Sequence, residues 1–128
     1  MVGINYLTKL IRYKWTLVLF LFLSILFWNY NSIELDGPKG TLAKIFVPHN
    51  TIYSPTYSDK KFISVKVGDT YSVVKHKLGF PLDIYKVGGN LIGMRWAKPQ
   101  GDCSYCVRVI LFNKDTTVIR KKSEFYTD

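Results

Sequence analysis

The chain has 128 residues and a formal net charge of +9, from 18 Lys/Arg against 9 Asp/Glu. That length holds one domain, and any anchor or tail reduces the globular part further. Two cysteines cannot complete a four-thiolate zinc site, the two histidines lie far off in sequence, and no nucleic-acid motif accompanies the basic charge.

Residues 1–14 form a basic start containing Lys9, Arg12 and Lys14. From Trp15 to Trp28 only Thr16 and Ser24 are polar, and nothing is charged. Fourteen helical residues cover about 21 Å at a rise of about 1.5 Å each, short of a hydrocarbon core of about 30 Å. Tyr13 and Trp15 precede the run and Trp28 and Tyr30 follow it, like the aromatic belts at membrane interfaces. Two readings compete, a cleaved signal peptide and an uncleaved anchor. The stretch "FWNYNSIEL" offers no small-residue cleavage pattern, so residues 15–30 are expected to form a transmembrane signal-anchor.

Orientation follows from the charges. Lys9, Arg12 and Lys14 precede the span, and Glu34 and Asp36 are the first charges after it. The positive-inside rule puts the N-terminus in the cytoplasm and the C-terminal part outside. The expected location is therefore a bacterial inner membrane, with the C-terminal domain in the periplasm. Beyond residue 30, fifteen Lys/Arg face all nine acids. A solvated surface accounts for such a balance, and so does attraction to an acidic partner or to anionic headgroups.

Residues 31–61 carry three prolines, two glycines and many Ser, Thr, Asn and Tyr residues. They read as a tether and an irregular approach, with one short strand at Leu42–Val47. The domain proper is expected over 62–128. "KFISVKVGDT" is a short alternating run ending in Gly68. "DTYSVVKHKLG" reads as a helix that Asp69 or Thr70 caps and that Gly79 and Pro81 stop. Tyr71, Val74 and Leu78 share one face of it, with Lys75 and Lys77 largely off that face.

"LDIYKVGGNLIGMRWAKP" holds two apolar segments split by Gly88-Gly89-Asn90, a hairpin signal. "CVRVILFN" is a strongly apolar strand, "KDTT" a turn, and "VIRKKSEFY" a returning strand with a basic middle. The expected fold class is α+β: a transmembrane helix, then a small two-layer domain with one short helix on an antiparallel sheet of three to four strands.

Four features bear on chemistry. Cys103 and Cys106 form a Cys-x-x-Cys pair that opens a strand, whereas a redox dithiol usually sits at a helix N-terminus. A structural disulfide is the first expectation in an oxidising compartment, with free or metal-bound thiols and thiol–disulfide exchange as alternatives. His49 and His76 have no companion in sequence that would orient a general base, and they read as surface residues. "YSPTYS", residues 53–58, faintly resembles the nucleophile surroundings of membrane-anchored signal peptidases, but no later segment supplies the lysine base in its context. Gly68 stands alone, and a phosphate cradle needs further glycines and a following lysine.

The stretch "VKVGDTYSVVKHKLGFP" resembles the motif of the SmpA/OmlA (BamE-like) domain family. Val65, Gly68, Thr70, Val74, Leu78, Gly79 and Pro81 carry the resemblance, which extends roughly over residues 62–128. It implies a helix-on-sheet domain that binds other proteins in the bacterial envelope, and it supplies no catalytic residues. The lipoproteins of that family carry a cysteine just after the apolar segment, and this chain has none there, which favours inner-membrane retention.

The expected function is therefore a non-enzymatic, membrane-anchored binding protein in an assembly, scaffold or accessory role. It docks a protein partner through a sheet edge or a basic surface containing Lys75, Lys77, Arg120, Lys121 and Lys122. No cofactor, metal or nucleic acid is expected. The alternatives are an immunity or inhibitor protein against an envelope-acting toxin or hydrolase, and a thiol–disulfide oxidoreductase using Cys103 and Cys106.

Overall fold

The structure is a computed structural model that describes the backbone of residues 2–128 and the side chains from Arg12 onward. Lys9, counted in the basic start, lies outside the described side chains. The chain divides into two compact units, Met1–Tyr30 and Asn31–Asp128.

The first unit is the helix α1, Val2–Trp28. Every side chain from Arg12 to Trp28 is exposed, including Phe20 at 70% and Trp28 at 89%. Among the described residues, no single helix is long and apolar enough by itself to cross a membrane.

The second unit is α+β, with helices packed on an antiparallel sheet of five strands. In chain order it holds α2 (Tyr30–Phe46), β1 (Thr51–Tyr53), α3 (Asp59–Ile63), α4 (Tyr71–Leu78), β2 (Asp83–Val87), β3 (Leu91–Pro99), β4 (Tyr105–Phe112) and β5 (Val118–Tyr126). The sheet order is β1-β3-β4-β5, and β2 also pairs with β3. β2 takes residues 91–95 of β3 and β1 takes residues 97–99, so two short strands share one edge. A register shift between Arg95 and Ala97 marks the junction. There Trp96 is fully buried, and its Nε1 donates to Gly79 O at 3.2 Å.

Residues 31–61 differ most from expectation. In place of a tether with a strand at Leu42–Val47, they form α2, β1 and most of α3. Gly37 adopts φ 70° and kinks α2, and Pro38 follows at the start of the second helical segment. Proline is favoured there because its fixed φ suits a helix start and its missing N–H leaves no extra unmet donor. The alternating run "KFISVKV" likewise begins inside a helix: Ser58 Oγ accepts from Lys61 N and caps α3. The turn that follows buries Val65 beside Phe62.

Helices α2, α3 and α4 all meet one face of the sheet. Phe62, Val74, Leu78 and Leu35 pack with Met94, Ile110, Phe112 and Val118 in one core cluster. Residues directly opposite in antiparallel strands point to the same face. β4 therefore gives Cys106, Arg108, Ile110 and Phe112 to the helices, and Tyr105, Val107, Val109 and Leu111 to the other face.

Candidate functional site

The residues around α4 act together as a structural joint. Thr70 sits at the N-cap without a side-chain cap, and its backbone bridges Thr117. The Asp69 carboxylate accepts from Lys66 N in the preceding turn at 3.0 Å and from Lys77 Nζ at 2.9 Å, so neither expected residue caps α4 with its side chain. The hydrogen bond from Lys66 N, then that from Lys77, holds the Asp69 carboxyl below its ordinary range. Val74 and Leu78 are fully buried. Gly79 closes the helix at φ 76°, where a Cβ would meet Thr56 Oγ1 at 1.8 Å, so only glycine fits. Pro81 lies just beyond, beside the half-buried Leu82.

Cys103 and Cys106 are both free thiols. Cys103 lies 3.5 Å from Asn50 O and 3.4 Å from Gln100 O. Cys106 is buried on the helix-covered face, beside the Tyr53 hydroxyl. Burial, then the contact with Cys106, pushes the Tyr53 hydroxyl above its ordinary range. The two thiols thus have separate partners, in place of the expected disulfide.

His49 is exposed, with its ring edge-on to Phe125 at 5.2 Å, and His76 is exposed on α4. Ser54, in the stretch compared with signal peptidases, is buried and donates its hydroxyl to Phe80 O at 2.6 Å. That hydroxyl is thereby committed to a backbone carbonyl.

The polar centre of the domain is a buried network around Arg108, fully enclosed within the otherwise apolar β4. Its Nη1 donates to Asp36 Oδ1 at 2.7 Å and its Nη2 to Asp36 Oδ2 at 2.9 Å. Arg108 Nε donates to Tyr57 OH at 3.0 Å, and Tyr57 OH donates to Asp59 Oδ1 at 2.6 Å. Lys44 completes the group by pairing with Asp36. Burial pushes the Asp36 carboxyl up, but the hydrogen bonds from Arg108 and Lys44 outweigh it and hold it below its ordinary range. Burial, then the hydrogen bond to Asp59, pushes the Tyr57 hydroxyl up. Every buried side-chain polar atom among the described residues has a partner, and this network contains no unpaired nucleophile. It ties α2 and the loop before α3 to the sheet.

The basic residues do not form one surface. Lys121 pairs with Ile110 and faces the helices, where its Nζ donates to Phe62 O and Ile63 O at 3.1 Å and closes the end of α3. Burial pushes its pKa down. Arg120 and Lys122 pair with Leu111 and Val109 and face the other way. Lys77 is held by Ser64 O at 2.9 Å and by Asp69, and Lys75 lies over the Phe80 ring at 4.1 Å. Lys75 and Lys77 line a groove of about 590 Å³ with Lys61, His76 and Phe80, and Lys122 is not among its lining residues.

Within the unit Asn31–Asp128, no helix lies on the other face of the sheet. That face carries a shallow depression of about 310 Å³ floored by Val107 and Val109. Tyr105 and Tyr126 sit at one end with rings 5.5 Å apart. Arg95 lies over the Tyr85 ring at 5.5 Å, and Lys122 pairs with Glu124 at 2.8 Å. Gly93 lets Tyr85 lie down on the sheet, since a Cβ there would meet its ring at 2.5 Å. Tyrosine and arginine around an apolar floor make up the composition common at the energetic centres of protein interfaces.

Of this face, sequence reasoning named only Arg120 and Lys122. The signal that could have found the rest is the period of two in Tyr105-x-Val107-x-Val109. It was silent because both faces of β4 are largely apolar and its one charged residue, Arg108, lies on the helix-covered face, so polarity does not mark the open one. Comparison with known protein families and with curated proteins found no match to this chain.

Proposed function

We propose that this chain is a single-pass membrane protein whose domain outside the membrane binds another protein and catalyses nothing. The open sheet face is the observation that carries the reading. Tyr85, Tyr105, Tyr126, Arg95 and Lys122 ring Val107 and Val109 there, which are 8% and 6% exposed beneath those side chains, and no helix of the domain covers the face. A surface of that kind offers aromatic anchors on a rigid strand frame. The surplus of fifteen Lys/Arg over nine acids beyond residue 30 favours a partner with an acidic contact surface.

Support for the anchor comes from α1. Its 27 residues extend about 40 Å at about 1.5 Å per residue, although the uncharged run is shorter. Arg12 and Lys14 can snorkel to the headgroups while Trp15 and Trp28 sit at the interfaces. An apolar helix exposed all round is stable only where water is excluded. The basic start supports an anchor in a bacterial inner membrane with the N-terminus in the cytoplasm and the domain in the periplasm. The motif from Val65 to Pro81 supports a BamE-like domain, and it bears on the fold rather than on the partner.

Two measurements test the proposal. A phosphatase fused after Asp128 is expected to be active and a cytoplasmic reporter inactive; the reverse result sinks the orientation. Pull-down from solubilised membranes is expected to retain a protein with the wild-type chain and lose it with Tyr105→Ala/Tyr126→Ala. If no partner is retained and the purified chain turns over a substrate, the binding reading fails.

A further inference from the structure

The second segment of α2 is amphipathic in the reverse sense. Leu42, Ile45 and Phe46 are exposed at 58%, 68% and 80%, and their spacing puts them on one side of the helix. The opposite side is polar and closely held. Thr41 Oγ1 donates to Gly37 O at 2.9 Å and lies 3.3 Å from Ser32 Oγ, and Lys44 Nζ donates to Ser32 Oγ at 3.1 Å and pairs with Asp36. Gly40 lies against the sheet, where a Cβ would come within 3.1 Å of Phe125 Cβ. Single exposed apolar residues are ordinary. A continuous apolar ridge on a helix that turns Lys44 inward to Asp36 is a surface shaped for contact.

We infer that this ridge lies in the interfacial layer of the same bilayer that holds α1, so that the domain docks on the membrane through α2. Chain length is the first argument. Pro38 comes ten residues after Trp28, so the ridge starts within roughly 35 Å of the end of the apolar run, even if the chain between were fully extended. Charge is the second. Pro38–Phe46 contains no acidic residue, and the exposed Lys39 borders the ridge at headgroup level. Two aliphatic side chains, a phenylalanine and a bordering lysine on a helix fixed in place match the chemistry of helices that lie in the membrane plane. Asp36 is committed to Arg108, so α2 lies on the membrane and does not enter it as a second span.

The inference rests on the anchor reading, and one experiment separates the two. The full chain is reconstituted in vesicles of phosphatidylcholine and phosphatidylglycerol containing a lipid with a photoactivatable acyl chain, and the adducts are mapped by peptide mass spectrometry. Adducts are expected on residues 15–28 and on residues 40–46, with none on the equally exposed Ile84 of β2. Changing Leu42, Ile45 and Phe46 together to serine is expected to abolish the second set and leave the first unchanged. Adducts on 15–28 alone overturn the docking of α2 and leave the anchor standing. Adducts on neither overturn both. A chemically cross-linked dimer through α2, with no lipid adducts there, assigns the ridge to a second copy and also overturns the inference.

Discussion

Two helices of this domain meet the same face of one sheet with opposite sides. α4 presents Val74 and Leu78 to the core and leaves Lys75 and His76 in water. α2 presents Leu35, Asp36 and Lys44 inward and leaves Leu42, Ile45 and Phe46 outside. α4 is held by burial of apolar area, at about 1.5–3 kcal/mol for each fully buried aliphatic side chain. α2 is held by the burial of Leu35 and by an ion pair in a dry site, where desolvation offsets much of the attraction. The position of α4 therefore follows from hydrophobic pattern, and that of α2 depends on one geometry being met.

The largest expected effect comes from breaking that pair. Asp36→Ala removes the bidentate carboxylate of the buried Arg108 guanidinium and leaves it only Asp59, 3.4 Å from its Nε, and a loss of about 3–5 kcal/mol is expected in urea unfolding of the detergent-solubilised chain. Asp36→Leu with Arg108→Met removes both charges and is expected to lose clearly less. If the double variant is as unstable as Asp36→Ala, the unpaired charge is not the cause.

A matched pair of leucines sharpens the comparison. Leu78→Ala opens a cavity under α4 and is expected to cost about 2–5 kcal/mol. Leu42→Ala, the same chemical change on the outward side of α2, is expected to stay within about 0.5 kcal/mol. Equal losses would mean that Leu42 is buried. At the end of α4, Gly79→Ala sets a side chain against Thr56 at a positive φ, for an expected loss of about 1–3 kcal/mol. Gly89→Ala in the β2–β3 turn, also at positive φ but with nothing near its Cβ, is expected to lose less.

Acid offers the mildest test. The Asp36 carboxyl titrates below its ordinary 3.8, so the folded state binds this proton less readily than the unfolded chain. Its contribution is fully present above pH values near 4 and is lost as pH falls through the lowered pKa. Unfolding midpoints measured between about pH 5 and pH 2 are expected to fall, with a smaller slope in Asp36→Asn. An unchanged slope would show that Asp36 does not feel Arg108 in solution.

The sequence by itself determined what local pattern encodes. The spacing of Val74 and Leu78 with Gly79 and Pro81 defined α4, the Gly88-Gly89-Asn90 break placed the β2–β3 hairpin, and the apolar run at 106–112 marked the central strand. These depend on neighbours within a few residues, where backbone preference and helical or strand period act directly. Only the tertiary structure decided the rest. β1 and β2 share an edge of β3 because residues 51–53 meet residues 97–99 across more than forty positions of sequence. Arg108 is buried because Asp36, seventy-two residues away, meets it. Lys121 turns from Arg120 and Lys122 because β5 has one face under α3 and one face open. Long-range pairing selects among local options that the chain leaves equal, so in the second segment of α2 the polar residues became the inner side and Leu42, Ile45 and Phe46 the outer one.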